Sequence, residues 1–148
     1  MKNGDFIVDT KSGVVVFCQL AHGKNYVSIS KAHNADDFNI GVGQLIAMKR
    51  NEIKIRKVDL EGMREVSAHL GESALYYEGY GIHSKLYTNA KQVVDEKINA
   101  SLNHIRELKK DLKALYDGTY DRLPEGVKSG KKVYAVVNGS MTLVDNNY

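Results

Sequence analysis

Hydrophobic side chains recur between residues 94 and 115 in alternating steps of four and three: Val94, Ile98, Ser101, Ile105, Leu108, Leu112 and Leu115. Ile98, Ile105 and Leu112 take the a positions of a heptad and Val94, Leu108 and Leu115 the d positions, with Ser101 interrupting one d layer. Neither Gly nor Pro breaks the stretch. It predicts one long helix over about residues 89–116, capped by Thr88 or Asn89 and about 42 Å long. Such a stripe needs a facing helix. A second copy of the chain is expected to supply it, making Val94, Ile98, Ile105, Leu108, Leu112 and Leu115 a self-association interface; packing inside the chain's own domain is the alternative.

The N-terminal pattern is different. Phe6 to Asp9, Val14 to Leu20 and Tyr26 to Ser30 read as strands of an antiparallel meander, separated by Lys11-Ser12-Gly13 and His22-Gly23-Lys24-Asn25. Alternation in the third strand predicts Val27 and Ile29 toward the core and the hydroxyl-bearing residues outward. Asp36 or Asp37 is expected to cap a helix carrying Phe38, Val42, Leu45 and Ile46, with Gly41 and Gly43 marking a close crossing over a strand. Ile53-Lys54-Ile55-Arg56 alternates like a fourth strand. Leu60 to Leu70 has the spacing of a second short helix, capped by Asp59 and ended by Gly71. Asn138-Gly139 predicts a C-terminal hairpin over about residues 131–144. The expected class is α+β: an antiparallel sheet covered by short helices, one long heptad-patterned helix and a C-terminal β-hairpin, in a single domain spanning 1–148.

Composition narrows this picture. With 148 residues, 43% hydrophobic and 26% charged, the chain suits one ordinary core. Its one cysteine, Cys18, sits in the apolar run Val14 to Cys18 and reads as a buried small hydrophobe. The opening residues do not resemble a signal peptide, and no apolar run approaches the roughly 20 residues that span a bilayer, so a cytoplasmic protein without membrane contact is expected.

Candidate chemistry lies in two clusters. Lys49, Arg50, Lys54, Arg56 and Lys57 crowd together with Glu52 alone opposing them, a potential suited to phosphate or to the guarding of a strand edge. Residues 72–87 read as an aromatic loop in which Tyr76, Tyr77, Tyr80 and Tyr87 accompany His83 and Lys85. These rings are expected either to stack on a base or to seal the join between sheet and long helix, and Gly79 and Gly81 to let backbone approach a ligand. Arg50, Lys54, Arg56, Tyr76, Tyr77, Tyr80, His83 and Lys85 thus form the candidate ligand set. The net charge of +3 is small for nucleic-acid binding, which stays an alternative. His22, His33, His69, His83 and His104 have no metal-ligand spacing, and neither a phosphate-binding loop nor a dinucleotide fingerprint is present. No metal, cofactor or catalytic residue is expected.

The stretch from Gly23 to Arg50 combines a glycine turn, a strand, His33 followed by Asp36-Asp37-Phe38, and a helix containing Gly43, Leu45, Ala47 and Arg50. It resembles small accessory proteins from phages of Gram-positive bacteria, including the group that acts against Thoeris defence by sequestering cyclic ADP-ribose-type signals in an oligomer. The resemblance implies a non-enzymatic, oligomeric phage accessory protein, in the host cytoplasm, that binds a phosphate-bearing nucleotide signal. It carries over no ligand residue. A protein-directed adaptor or inhibitor is the alternative, followed by a nucleic-acid-binding protein and by a small hydrolase built on His33 or His83.

Overall fold

The computed structural model describes residues 4–32, 39–120, 133–137 and 140–144. Its elements are β1 (Phe6–Asp9), β2 (Val14–Ala21), β3 (Lys24–Lys31), α1 (Ile40–Tyr76), α2 (Ile82–Asp117), β4 (Val133–Val137) and β5 (Ser140–Val144). They divide into two compact units, one of Met1–Ile55 with Lys109–Tyr148 and one of Arg56–Leu108. Among the described residues no helix is long and apolar enough to cross a membrane.

In the first unit, β1, β2 and β3 form the expected antiparallel meander. The β2–β3 connection is a two-residue turn, because Ala21 pairs with Lys24. His22 and Gly23 both have positive φ, 53° and 72°, as a type I′ turn requires. At the β1–β2 connection the Asp9 carboxylate accepts the Lys11 N–H at 3.1 Å and the Ser12 hydroxyl at 2.7 Å. The Ser12 hydroxyl, more than any other contact, holds the Asp9 carboxyl below its ordinary value.

One sheet face carries the core. Phe6 and Val8 of β1 pair with Phe17 and Val15 of β2, all buried, with the Phe6 and Phe17 rings stacked at 4.7 Å. Ala47 of α1 completes the cluster, and Ile40 and Met48 flank it. The expected facing of β3 is reversed: Ser28 and Ser30 are buried, while Val27 and Ile29 are 45% and 53% exposed. Register explains this, because Phe17 pairs with Ser28 and Val15 with Ser30, so the serines share the core face. For Ser28 the burial is compensated. The Ser28 hydroxyl donates to Asn51 Oδ1 at 2.6 Å, and Asn51 Nδ2 donates to the Tyr26 carbonyl at 2.8 Å.

The expected class does not hold as stated. The helices are two long ones, of 37 and 36 residues, rather than short helices beside a single long one. The sheet is not purely antiparallel, since its order is β3-β2-β1-β4-β5 and β1 pairs parallel with β4. Asn138-Gly139, the turn that the expected C-terminal hairpin depends on, lies outside the described residues, and the hairpin drops out of the class. What is described there is backbone strand, with β5 antiparallel to β4. Asp36 and Asp37 likewise lie outside. The cap of α1 is Asn39, whose Oδ1 accepts the Val42 N–H at 3.1 Å. Ile53 to Arg56 is not a strand, and Gly71 does not end a helix, because α1 runs through both. A four-residue alternation is too short to outweigh a helical period sustained on either side.

In the second unit, residues 56–76 of α1 and 82–108 of α2 form an antiparallel helical hairpin. Leu60 and Ser67 are buried, and Met63, Leu70 and Ala74 half-buried, again at alternating steps of three and four. Facing them, Ser101, Ile105 and Leu108 are buried and Val94 and Ile98 half-buried. Ser67 donates to Asp95 Oδ1 at 2.6 Å, Lys91 Nζ lies 2.7 Å from Asp95 Oδ2, and Ser84 donates to the Ala74 carbonyl at 3.0 Å. A Cβ at Gly71 would lie 3.3 Å from Lys91 Cε, so glycine here admits the lysine stem. Helix α2 starts at Ile82 rather than near Asn89, and Thr88 donates its hydroxyl to the Ser84 carbonyl instead of capping. Leu112 and Leu115 are buried in the first unit. The seam assigned to a second copy is thus covered within one chain at Ile105, Leu108, Leu112 and Leu115.

Leu108→Ala should lower stability by about 2–5 kcal/mol, read from denaturant midpoints, while light scattering gives the same mass before and after the substitution. The Lys91 ammonium, and next the Ser67 hydroxyl, hold the Asp95 carboxyl below its ordinary 3.8. The unfolded chain therefore binds the proton more readily, and this contribution to stability is present above about pH 3.8 and lost as pH falls through the lower native value. Asp95→Asn should flatten the acid limb of the stability–pH curve, measured by urea unfolding between roughly pH 2 and 6.

Candidate binding surfaces

Lys49, Arg50 and Lys54 of the basic cluster are engaged within the first unit, while Lys57 is exposed. Lys49 pairs with Asp111 at 3.0 Å and lies over the Tyr120 ring at 5.6 Å. Arg50 donates through Nη1 to the Ile29 carbonyl and through Nε to the Tyr116 hydroxyl at 2.9 Å, its guanidinium 5.5 Å from the Tyr116 ring centre. Lys54 donates to the Val27 carbonyl at 2.7 Å. Arg50 and Lys54 stand four apart on α1, a rise of about 6 Å. Val27 and Ile29 stand two apart on β3, about 6.8 Å. The two repeats match closely enough for one helical face to reach successive carbonyls of the strand. Strand β3 is at the edge of the sheet. These cations therefore guard an edge, as the simpler sequence expectation had it, but from a helix alongside rather than from a strand of their own. Arg56 belongs to the second unit, is half-buried and has interactions of its own.

The aromatic residues form the tip of the helical hairpin. Residues 72–87, expected as an irregular loop, are mostly helix, and only 77–81 connect α1 to α2. Tyr77 is the hub. Its ring stacks on Tyr87 at 5.5 Å with 9° between planes, meets Tyr76 at 4.9 Å and Tyr80 at 6.0 Å edge-on, and lies 5.7 Å from His83. Gly79 and Gly81 have φ of 92° and 56°, and no atom lies within 4 Å of a Cβ built on either. They are required by the turn's backbone rather than by the approach of a ligand. Around the hub, Leu75, Tyr76, Tyr80, Ile82 and Leu86 are 71%, 77%, 67%, 69% and 60% exposed. His83 and Lys85 are exposed as well.

The structure brings Tyr76, Tyr77, Tyr80, Tyr87 and His83 together in the second unit and Arg50 with Lys54 in the first. Leu75, Ile82 and Leu86 were not singled out by sequence. Their signal was present, since all three fall off the three-four seam of their helices and so have no packing role to account for them. Tyr116, which holds Arg50 at the β3 edge, had no signal short of the fold. Among the described residues no three His, Cys, Asp or Glu side chains gather. No protein-family model, curated protein or solved structure matches the chain.

Tyr77→Ala should cost about 2 kcal/mol, because it removes the ring on which the others converge. Tyr76→Ala, at a mostly exposed ring, should cost less than about 1 kcal/mol. Thermal unfolding of the two variants side by side measures the difference.

Proposed function

We propose that the chain is a non-enzymatic binding protein that docks on another protein through the tip of its helical hairpin. The observation that carries this reading is the exposure of Leu75, Tyr76, Tyr80, Ile82 and Leu86 around a fixed aromatic hub. Large apolar side chains gathered at one tip are costly to leave in water and suit a contact surface. Tyrosine suits the role because it offers a large, stiff, amphipathic area with little side-chain entropy to lose. The fitting partner is a protein surface with an apolar depression and a polar rim, the rim meeting Glu78, His83 and Lys85.

A second reading, sequestration of a phosphate-bearing nucleotide by a phage accessory protein, is favoured by one observation. Tyr80 and His83 present a ring and an imidazole beside the stacked Tyr77 and Tyr87, and Lys85 lies exposed two residues on from His83. In that reading Lys85 supplies the charge, and Arg50 and Lys54 stay with β3. Self-association, where it occurs, uses a surface other than Ile105, Leu108, Leu112 and Leu115.

A photo-cross-linking residue placed at position 80 or 82 of the full chain, in cells that express it, should give one discrete protein adduct. Placed at position 61, on an exposed part of α1, it should not. Tyr76→Ser with Tyr80→Ser should weaken the adduct by about 30-fold or more, corresponding to hot-spot losses of about 2 kcal/mol. Equal adducts from positions 61 and 80 would overturn the docking reading. Calorimetric binding of ADP-ribose derivatives or cyclic nucleotides, lost on Lys85→Ala, would replace it with the second.

A further inference from the structure

Among the described residues, no strand pairs with the outer side of β3. The two-residue turn makes Ala21 and Lys24 a hydrogen-bonded pair, so Gln19 with Tyr26 and Phe17 with Ser28 also direct their backbone groups at each other. Val27 and Ile29, which alternate with them, turn both C=O and N–H away from β2. Lys54 and Arg50 occupy those two carbonyls. The Val27 and Ile29 side chains are exposed on the sheet face opposite the core, and Lys24 and Lys31 are exposed at the strand ends.

We propose that this edge accepts an extended acidic segment of a partner protein by strand addition. The incoming N–H groups take the Val27 and Ile29 carbonyls, and the incoming carbonyls take the outward N–H groups of the same residues. Arg50 and Lys54, released from the backbone, pair with carboxylates on the α1 side of the added strand. Its other face, alternating with the acidic one, is apolar and extends the Val27 and Ile29 surface. The fitting segment therefore alternates acidic and β-branched residues. A neutral or basic strand displaces the same two cations without offering them a new partner, and is rejected for that reason. Lys24 and Lys31 add attraction at the ends of the strand. This surface belongs to the first unit and is independent of the hairpin tip.

The test uses the full, isotope-labelled chain and two synthetic peptides, acetyl-Glu-Val-Glu-Val-Glu-Val-amide and its Lys-for-Glu counterpart. The acidic peptide should bind about tenfold tighter or more, with the preference shrinking as salt rises. It should shift the Val27 and Ile29 amide resonances and slow their hydrogen exchange. Arg50→Gln with Lys54→Gln keeps a donor on each side chain without the charge, and should bring the two affinities within about twofold of each other. Equal affinities for the unaltered chain, shifts confined to residues 75–86, or no binding of either peptide at millimolar concentration would overturn the proposal. Should the double variant fail to fold, the two-peptide comparison and the location of the shifts on the unaltered chain still decide it.

Discussion

Much of the first unit depends on the register set by a single tight turn. His22 and Gly23 are the only residues between paired Ala21 and Lys24, and both take the positive φ that lets β2 and β3 continue with their natural twist. From that pairing two consequences follow along β3. Side chains opposite Phe17 and Val15 turn inward, and these are serines; backbone groups of the residues between them turn outward, and these belong to valine and isoleucine. The buried Ser28–Asn51 contact and the guarded carbonyls of Val27 and Ile29 thus have one origin. A one-residue slip would bury Val27 and Ile29, expose the core-facing hydroxyls and leave Asn51 without its partner.

Within this frame α1 has two tasks on neighbouring faces. Ala47 admits the helix close to Phe6 and Phe17, where a larger residue would hold it away. Asn51 reaches Ser28, and Arg50 and Lys54 reach past it to the edge. In the second unit the same helix changes partner chemistry and offers a seam of Leu60, Met63 and Leu70 to α2. The Asp95 carboxylate, held by Ser67 and Lys91, supplies a polar contact between the hairpin's arms that fixes their alignment where the apolar seam is interrupted by small residues.

The sequence made some of this legible and hid the rest for identifiable reasons. The three N-terminal strands and the Gly23 turn were readable because alternation and turn residues are local signals. The facing of β3 was not, because a strand's own hydrophobicity argues for Val27 and Ile29 inward, and the register imposed by β2 outweighs it. The α2 seam was readable from its spacing. Periodicity, however, says that a helix packs and not on what, so it leaves a second copy and the same chain both open, and the burial of Ile105, Leu108, Leu112 and Leu115 within one chain is visible only in the fold. The matching stripe on α1 was obscured by Ser67 and Ala74 at its inward positions and by the brief alternation of Ile53 to Arg56. The tyrosines stand out in sequence as a group, but Gly79 and Gly81 break the helical pattern there and hide the helices that carry them.

The guard on β3 rests on a near-coincidence of two repeats, and such a match does not extend. Each four-residue step along the helix falls about 0.8 Å short of the next outward carbonyl and turns the side chain about 40° further round the axis, so a third position stands about 1.6 Å behind and about 80° round from the first. Four residues beyond Lys54 stands Val58, so in this chain the cover ends at two cations. That ties the guard to the length of β3: growing the strand by another pair of residues would add an outward carbonyl to which neither Arg50 nor Lys54 donates. Shifting Arg50 and Lys54 from a spacing of four to three or five would undo the cover already present.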